Sequence, residues 1–264
     1  MTMAPPTDDS LEGIYFKLQS EFDFTKHIGS LDATDEIAEL CGIGADSHVL
    51  DVGCGVGMTA TYLAKTVGCR AIGIDIRDQM IERARARAAN EGVADRVEFR
   101  VGDACALPFE DETFDVVICE SVIALVEDQS AVLDEIFRVL VPGGRVGLTE
   151  AAWVKPPTEE LLDYLRRSFG HMQLHAPAGW GELVRAAGFE DVVVNAHEIS
   201  AKTEARARMR RYGLGHMLRI WGHVLRALVT RPEYRAFLKE ALSEPRELLE
   251  YWGYVVAIGQ KPSH

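Results

Sequence analysis

The feature that most constrains this chain is a short apolar run that opens into glycine at alternate positions, Val49-Leu50-Asp51-Val52-Gly53-Cys54-Gly55-Val56-Gly57, with a helical stretch at 58–67 behind it. Glycines at such a junction let the backbone turn sharply from strand to helix and approach a ligand closely. The pattern repeats without them. Apolar runs at 71–75, 97–101, 114–119 and 145–150 alternate with helical stretches at 77–90 and 129–140, the latter stopped by Pro142-Gly143-Gly144. Strands alternating with helices of this length predict a parallel α/β sheet, doubly wound with helices on both faces and right-handed crossovers.

Beyond residue 150 the reading is less regular. Stretches 158–169 and 179–187 read as helices, 191–199 as a strand, 202–249 as mostly helical and 251–259 as a last strand. About fifty residues between two strands is far longer than an ordinary connection and reads as a helical insert. Pro232 and Pro245 would divide it into shorter helices. The expected organisation is an N-terminal helical arm or cap at 1–46, a core formed by 47–199 and 250–264, and an insert or lid at 200–249.

Charge separates the insert from the rest. The 264 residues carry a net charge of −13, yet 200–250 holds eleven Lys/Arg against six Glu, a local +5 that leaves −18 elsewhere. The acidic total argues against nucleic acid as a partner, because phosphate contacts need a basic face. No apolar run reaches the roughly 18 residues of a membrane span. The five cysteines (41, 54, 69, 105 and 119) are odd in number and lack CxxC spacing, so neither a disulfide frame nor a metal site is expected. With no basic-then-apolar leader at the start, the expected location is cytoplasmic.

The glycine loop and the acid that ends the second apolar run, Asp75, fall at the carboxyl edge of an open sheet, where ligands bind. A carboxylate there can accept both hydroxyls of a ribose. A dinucleotide fingerprint would need glycine where Met58 stands, and a phosphate loop would need Gly-Lys-Ser/Thr. Asp51 would repel a pyrophosphate but suits a cationic amino-acid ligand. That logic points to S-adenosylmethionine, with an ammonium, a sulfonium and no phosphate.

These residues resemble the class I S-adenosylmethionine-dependent methyltransferases over roughly 27–150. The resemblance implies that Asp51, Gly53, Cys54, Gly55 and Gly57 wrap the methionine moiety and that Asp75 holds the ribose. It places Ile76 on the adenine face and gives Asp103, within Gly102-Asp103-Ala104, the adenine amine. The end of the fourth strand, Cys119-Glu120-Ser121, would touch the cofactor through its backbone, and His27-Ile28-Gly29-Ser30 would bring an amide near Gly29 to its carboxylate. Met80 is included among the contacts, although helix packing is its plainer role. The stretches 107–115 and 138–144 also follow the family. The resemblance further implies a Rossmann-like seven-stranded sheet whose last strand, at 251–259, is antiparallel.

Methyl transfer from a sulfonium needs alignment and exclusion of water first, and a base only if the methyl acceptor must lose a proton. His27, Glu120 and Glu150 are the candidates, with His171 and His175 behind them. The Asn-Pro-Pro-Tyr type signature of nucleic-acid amino methylation is absent after the fourth strand. The overall pattern resembles the small-molecule branch with quinone, tocopherol and sterol carbon methyltransferases, which implies a small, partly apolar methyl acceptor and carbon ahead of nitrogen or oxygen. The insert at 202–249 interleaves Arg with Met209, Leu214, Leu218, Trp221 and Leu225, a face suited to a pocket cover, an anionic membrane surface or a second copy of the chain in a homodimer. Three other readings stand beside this one. They are a thiol-directed arsenic methyltransferase, a nicotinamide-dependent oxidoreductase and a non-catalytic cofactor-binding module.

Overall fold

Seven apolar runs become strands: β1 (His48–Val52), β2 (Arg70–Asp75), β3 (Val97–Val101), β4 (Phe114–Glu120), β5 (Leu140–Trp153), β6 (Glu190–Glu198) and β7 (Trp252–Gln260). Among the described residues, the helices with defined bounds are α1 (Ser30–Cys41), α2 (Met58–Thr66), α3 (Asp78–Glu91), α4 (Gln129–Val139), α5 (Glu159–Phe169), α6 (Pro177–Ala186) and the short α7 (Leu248–Tyr251). A computed structural model describes residues 28–169, 172–199 and 247–263, with isolated positions at 215, 222, 226, 229–231 and 235. Residues 1–27 of the expected arm and most of the expected insert lie outside the described residues, as do His27 and His171.

The strands form one sheet in the order β3-β2-β1-β4-β5-β7-β6. β1 pairs in parallel with β2 and β4, whereas β7 runs antiparallel to both β5 and β6. This is the expected doubly wound, Rossmann-like sheet with its last strand reversed. The strand order reverses between β1 and β4, which opens a crevice at their carboxyl ends.

Alternate residues of the central strands feed two cores. Leu50, Val117 and Val255 pack on one side with Leu133 of α4 and Trp180 of α6. Val49, Ile118 and Val256 pack on the other with Ile37 of α1, Leu63 of α2 and Ile81 of α3. Burial on both faces is why β1 and β4 read as nearly unbroken apolar runs, while the edge strand β3 alternates with Glu98 and Arg100. The helices obey the 3.6-residue period; α4 buries Val132, Leu133, Ile136 and Val139 behind an Asp128 cap that accepts from Ala131 N at 3.0 Å.

The fifth strand departs from expectation at both ends. α4 stops at Val139, and β5 starts at Leu140 rather than at 145. Leu140 pairs with Phe114, but the next β4 pairing is Val116 with Arg145, so 141–144 bulge out between them. At the other end β5 runs on to Trp153, because β7 pairs with it from Arg145↔Gln260 to Trp153↔Trp252. β4 stops at Glu120↔Thr149, so β5 and β7 project beyond it at the carboxyl edge.

At the start of α2, Gly57 has φ +73°, and a β-carbon there would lie 2.6 Å from Phe99 Cζ and 2.7 Å from Ala84 Cβ. Gly57→Ala combines left-handed strain with a collision between α2 and its neighbours. It is expected to lower the unfolding free energy by about 1–3 kcal/mol, read from the denaturant midpoint. An unchanged midpoint would contradict this packing.

Candidate functional site

The glycine loop leaves β1 with Gly53, Gly55 and Gly57 all at positive φ. Two walls hold it. On the β2 side, Asp75 accepts from Gly55 N at 3.0 Å through Oδ2 and from Arg77 N at 3.0 Å through Oδ1, while Cys54 N donates to Ile74 O at 2.8 Å. On the β4 side, a β-carbon at Gly53 would collide with Val122 Cγ2. Side chains at Gly53 and Gly57 would strike Val122 and Phe99, so the loop can lie this close to its neighbours only as glycine.

Carboxylates crowd around it. Asp51 is 3% exposed and accepts from Ala60 N at 3.2 Å. Burial, then the neighbouring charge of Glu120, pushes its pKa up to about 8, opposed by the Ala60 amide. Burial also raises Asp75, against the amides of Arg77 and Gly55. Glu120 is buried and accepts from Thr34 Oγ1 at 3.0 Å and Thr59 Oγ1 at 2.5 Å. Buried acids that face one another raise each other's proton affinity, and a cation between them reverses the effect. The set of carboxyl groups therefore suits a ligand that brings positive charge.

Other expected residues gather at the same edge. Ile76 follows Asp75 with 41% of its surface exposed, an apolar face open to a flat ring. Gly102 N donates to Asp75 O at 3.0 Å, and Asp103 accepts from Cys105 N at 2.9 Å beside Ala104. Ser121 takes the left-handed conformation (φ +61°), and its Oγ accepts from Ile28 N at 3.2 Å, which brings Gly29 to the end of β4. Met80 is buried with Ile81 and Ala84 on the inner face of α3, a packing position.

Two candidate bases receive different work. Glu150, 1% exposed, accepts from Val122 N at 2.9 Å, Ile123 N at 2.7 Å and Ala124 N at 3.4 Å. Burial outweighs those amides and raises its pKa to about 7, and its oxygens accept from the backbone of the turn after β4. His175 is bonded to Gln129 Oε1 at 2.7 Å and packs edge-on against Trp180, and burial lowers its pKa. The five thiols are all free, and burial raises their pKa values, to about 12 at Cys41, so they behave as small apolar packers.

Thr34, Thr59 and Val122 escaped the sequence reading. Thr59 stands two residues after the last loop glycine, a signal of sorts. Thr34 and Val122 carry none, because their partners are 86 residues distant in the case of Thr34 and, for Val122, a glycine without a side chain.

Residues 50–148 match the family described as "Methyltransferase domain". Phosphoethanolamine N-methyltransferase 1 of Arabidopsis thaliana is 33% identical over 166 residues, 62% of this chain and 33% of the relative. The chain thus spans about a third of the length of that curated relative. The uncharacterized methyltransferase YodH of Bacillus subtilis (strain 168) is 34% identical over 168 residues, 62% of this chain and 69% of the relative. Among solved structures, the [4+2]-cyclase SpnF superposes with a TM-score of 0.75 at 22% identity, covering 100% of both chains, a likeness of fold.

Asp51 has its pKa raised on folding from the ordinary 3.8 to about 8, so the native state favours its protonated form. The resulting stabilisation is complete below the ordinary value and is lost as pH climbs toward the raised one. Asp51→Asn, which cannot ionise, should therefore gain in thermal midpoint relative to wild type as ligand-free protein is taken from pH 5 to pH 8. A constant gap over that range would contradict the setting described for Asp51.

Proposed function

Because the chain belongs to the class I S-adenosylmethionine-dependent methyltransferases, we propose that it moves the sulfonium methyl of S-adenosylmethionine to a small, partly apolar methyl acceptor, with carbon ahead of nitrogen or oxygen. The observation that carries this reading is the glycine loop at the end of β1 with the carboxylates Asp51, Asp75 and Glu120 around it. In it Asp75 would take the ribose hydroxyls, Ile76 the adenine face and Asp103 its amine. The loop amides and Gly29 would take the amino-acid end, with Asp51 and Glu120 supplying negative charge toward the cations. Fold alone does not carry the reading, since SpnF shares the fold and is a cyclase.

The nucleophile's electron pair forms the new bond to the methyl carbon as the carbon–sulfur pair returns to sulfur, leaving neutral S-adenosylhomocysteine. The protein supplies alignment and a dry site. Among the described residues, Glu120 and Glu150 are already bonded, Glu120 to two hydroxyls and Glu150 to three amides. That supports a methyl acceptor needing no prior deprotonation. The apolar turn 122–126 after β4 supports a partly apolar one and, with it, the small-molecule branch of quinone, tocopherol and sterol carbon methyltransferases. An amine is the second reading, favoured by the acidic edge and by the phosphoethanolamine N-methyltransferase relative. Glu198 pairs with Gly253, so the chain leaves β6 and re-enters β7 at the carboxyl edge, which supports the expectation that the insert serves this site.

Calorimetric titration with S-adenosylhomocysteine tests the cofactor site. Wild type is expected to bind in the micromolar range, and Asp75→Ala to weaken binding ten- to a hundredfold, since charge-assisted hydrogen bonds contribute about 1.5–3 kcal/mol. Equal affinities would remove Asp75 from the site. Labelled methyl donor offered with apolar carbon nucleophiles and with primary amines then separates the two readings.

A further inference from the structure

We propose that Glu150 is a positioning residue for the cofactor: it sets the turn after β4, and that turn, through Val122, holds the glycine loop in its receptive shape. The proposal deepens the methyltransferase reading and rests on it. Four consecutive amides of the turn end on two consecutive residues of β5. Ser121 N donates to Thr149 O at 2.6 Å, and the amides of Val122, Ile123 and Ala124 go to Glu150 at 2.9, 2.7 and 3.4 Å. The carbonyls are taken from the other side, Ile123 O by Gln129 Nε2 at 3.2 Å and Ala124 O by Gln173 N at 2.8 Å.

The first N–H groups of a 3₁₀ turn have no partner within it. The turn here is Ile123–Leu125, preceded by apolar Val122, so no local side chain caps it. Glu150 does so from the next strand, which a neutral cap with a single oxygen could not do for three donors. The consequence reaches the cofactor through packing. With the turn pinned, the Val122 side chain sits where a Gly53 side chain would be, and the loop has one seat against β4. Ser121, held in the left-handed region by the same bonds, presents Oγ to Ile28 N at 3.2 Å and ties the chain ahead of α1 to this edge.

Glu150→Gln keeps the shape but turns an amide NH2 toward donors that need an acceptor. S-adenosylhomocysteine titration and backbone hydrogen exchange are measured on wild type, this variant and Val146→Ala, a buried β5 truncation away from the turn. Glu150→Gln is expected to weaken the ligand about tenfold and to speed exchange at 122–124, while Val146→Ala loses stability and keeps wild-type affinity. Affinity within twofold of wild type in Glu150→Gln, or an equal loss in Val146→Ala, overturns the proposal. Should Glu150→Gln fail to fold, Val122→Ala decides. A loss of threefold or more supports the seat on Gly53, and unchanged affinity refutes it. Failure of wild type to bind would instead refute the methyltransferase reading.

Discussion

The hold of Asp75 and Val122 on the glycine loop is the constraint on which the site depends. A loop with three residues at positive φ has no regular structure of its own, and its amides must find partners elsewhere. Asp75 supplies one by accepting from Gly55, and the tight approach of Val122 to Gly53 removes the space in which the loop could relax. Both contacts come from strands flanking β1, so the sheet register sets the loop. The loop is backed by the most buried part of the molecule, where the apolar faces of β1 and β4 meet helices on both sides.

The same edge concentrates carboxyl groups. Asp51, Asp75, Glu120 and Glu150 lie within or beside the crevice, and burial raises the pKa of three of them, Asp51, Asp75 and Glu150. Their hydrogen bonds differ in kind. Glu150 faces three amides of one turn and serves the backbone. Among the described residues, Glu120 accepts from hydroxyls of α1 and α2 and so joins the helices that flank the glycine loop. Asp51 has a single amide, and its charge is the least compensated, which makes it the group a cationic ligand would benefit most. Burying carboxylates in this way costs stability, a cost found where a ligand is to be bound.

Much of this was legible in the chain. The strand–glycine–helix junction, the acid ending β2, the Gly-Asp-Ala run and the alternation of strands with helices each depend on residues close in sequence, and the observed elements lie within a few residues of the expected ones. The limits of β5 were not legible. Ala151, Ala152 and Trp153 carry no strand signal strong enough to extend the run, and only pairing with β7 extends it. Glu120 and Glu150 looked alike as acids at strand ends. Their partners come from 86, 61 and about 28 residues distant, separations at which periodicity and motif are silent.

By itself the sequence determined the sheet and the glycine junction at its carboxyl edge. Local apolar period decides where strands and helices begin, and glycine's lack of a side chain decides where the backbone can turn and be approached. Tertiary structure decided what each of the acids at that edge is bonded to. A carboxylate's role depends on the donors packed against it. For Glu150 those donors are three amides of a turn on the adjacent strand, brought to it by the parallel pairing of β4 with β5.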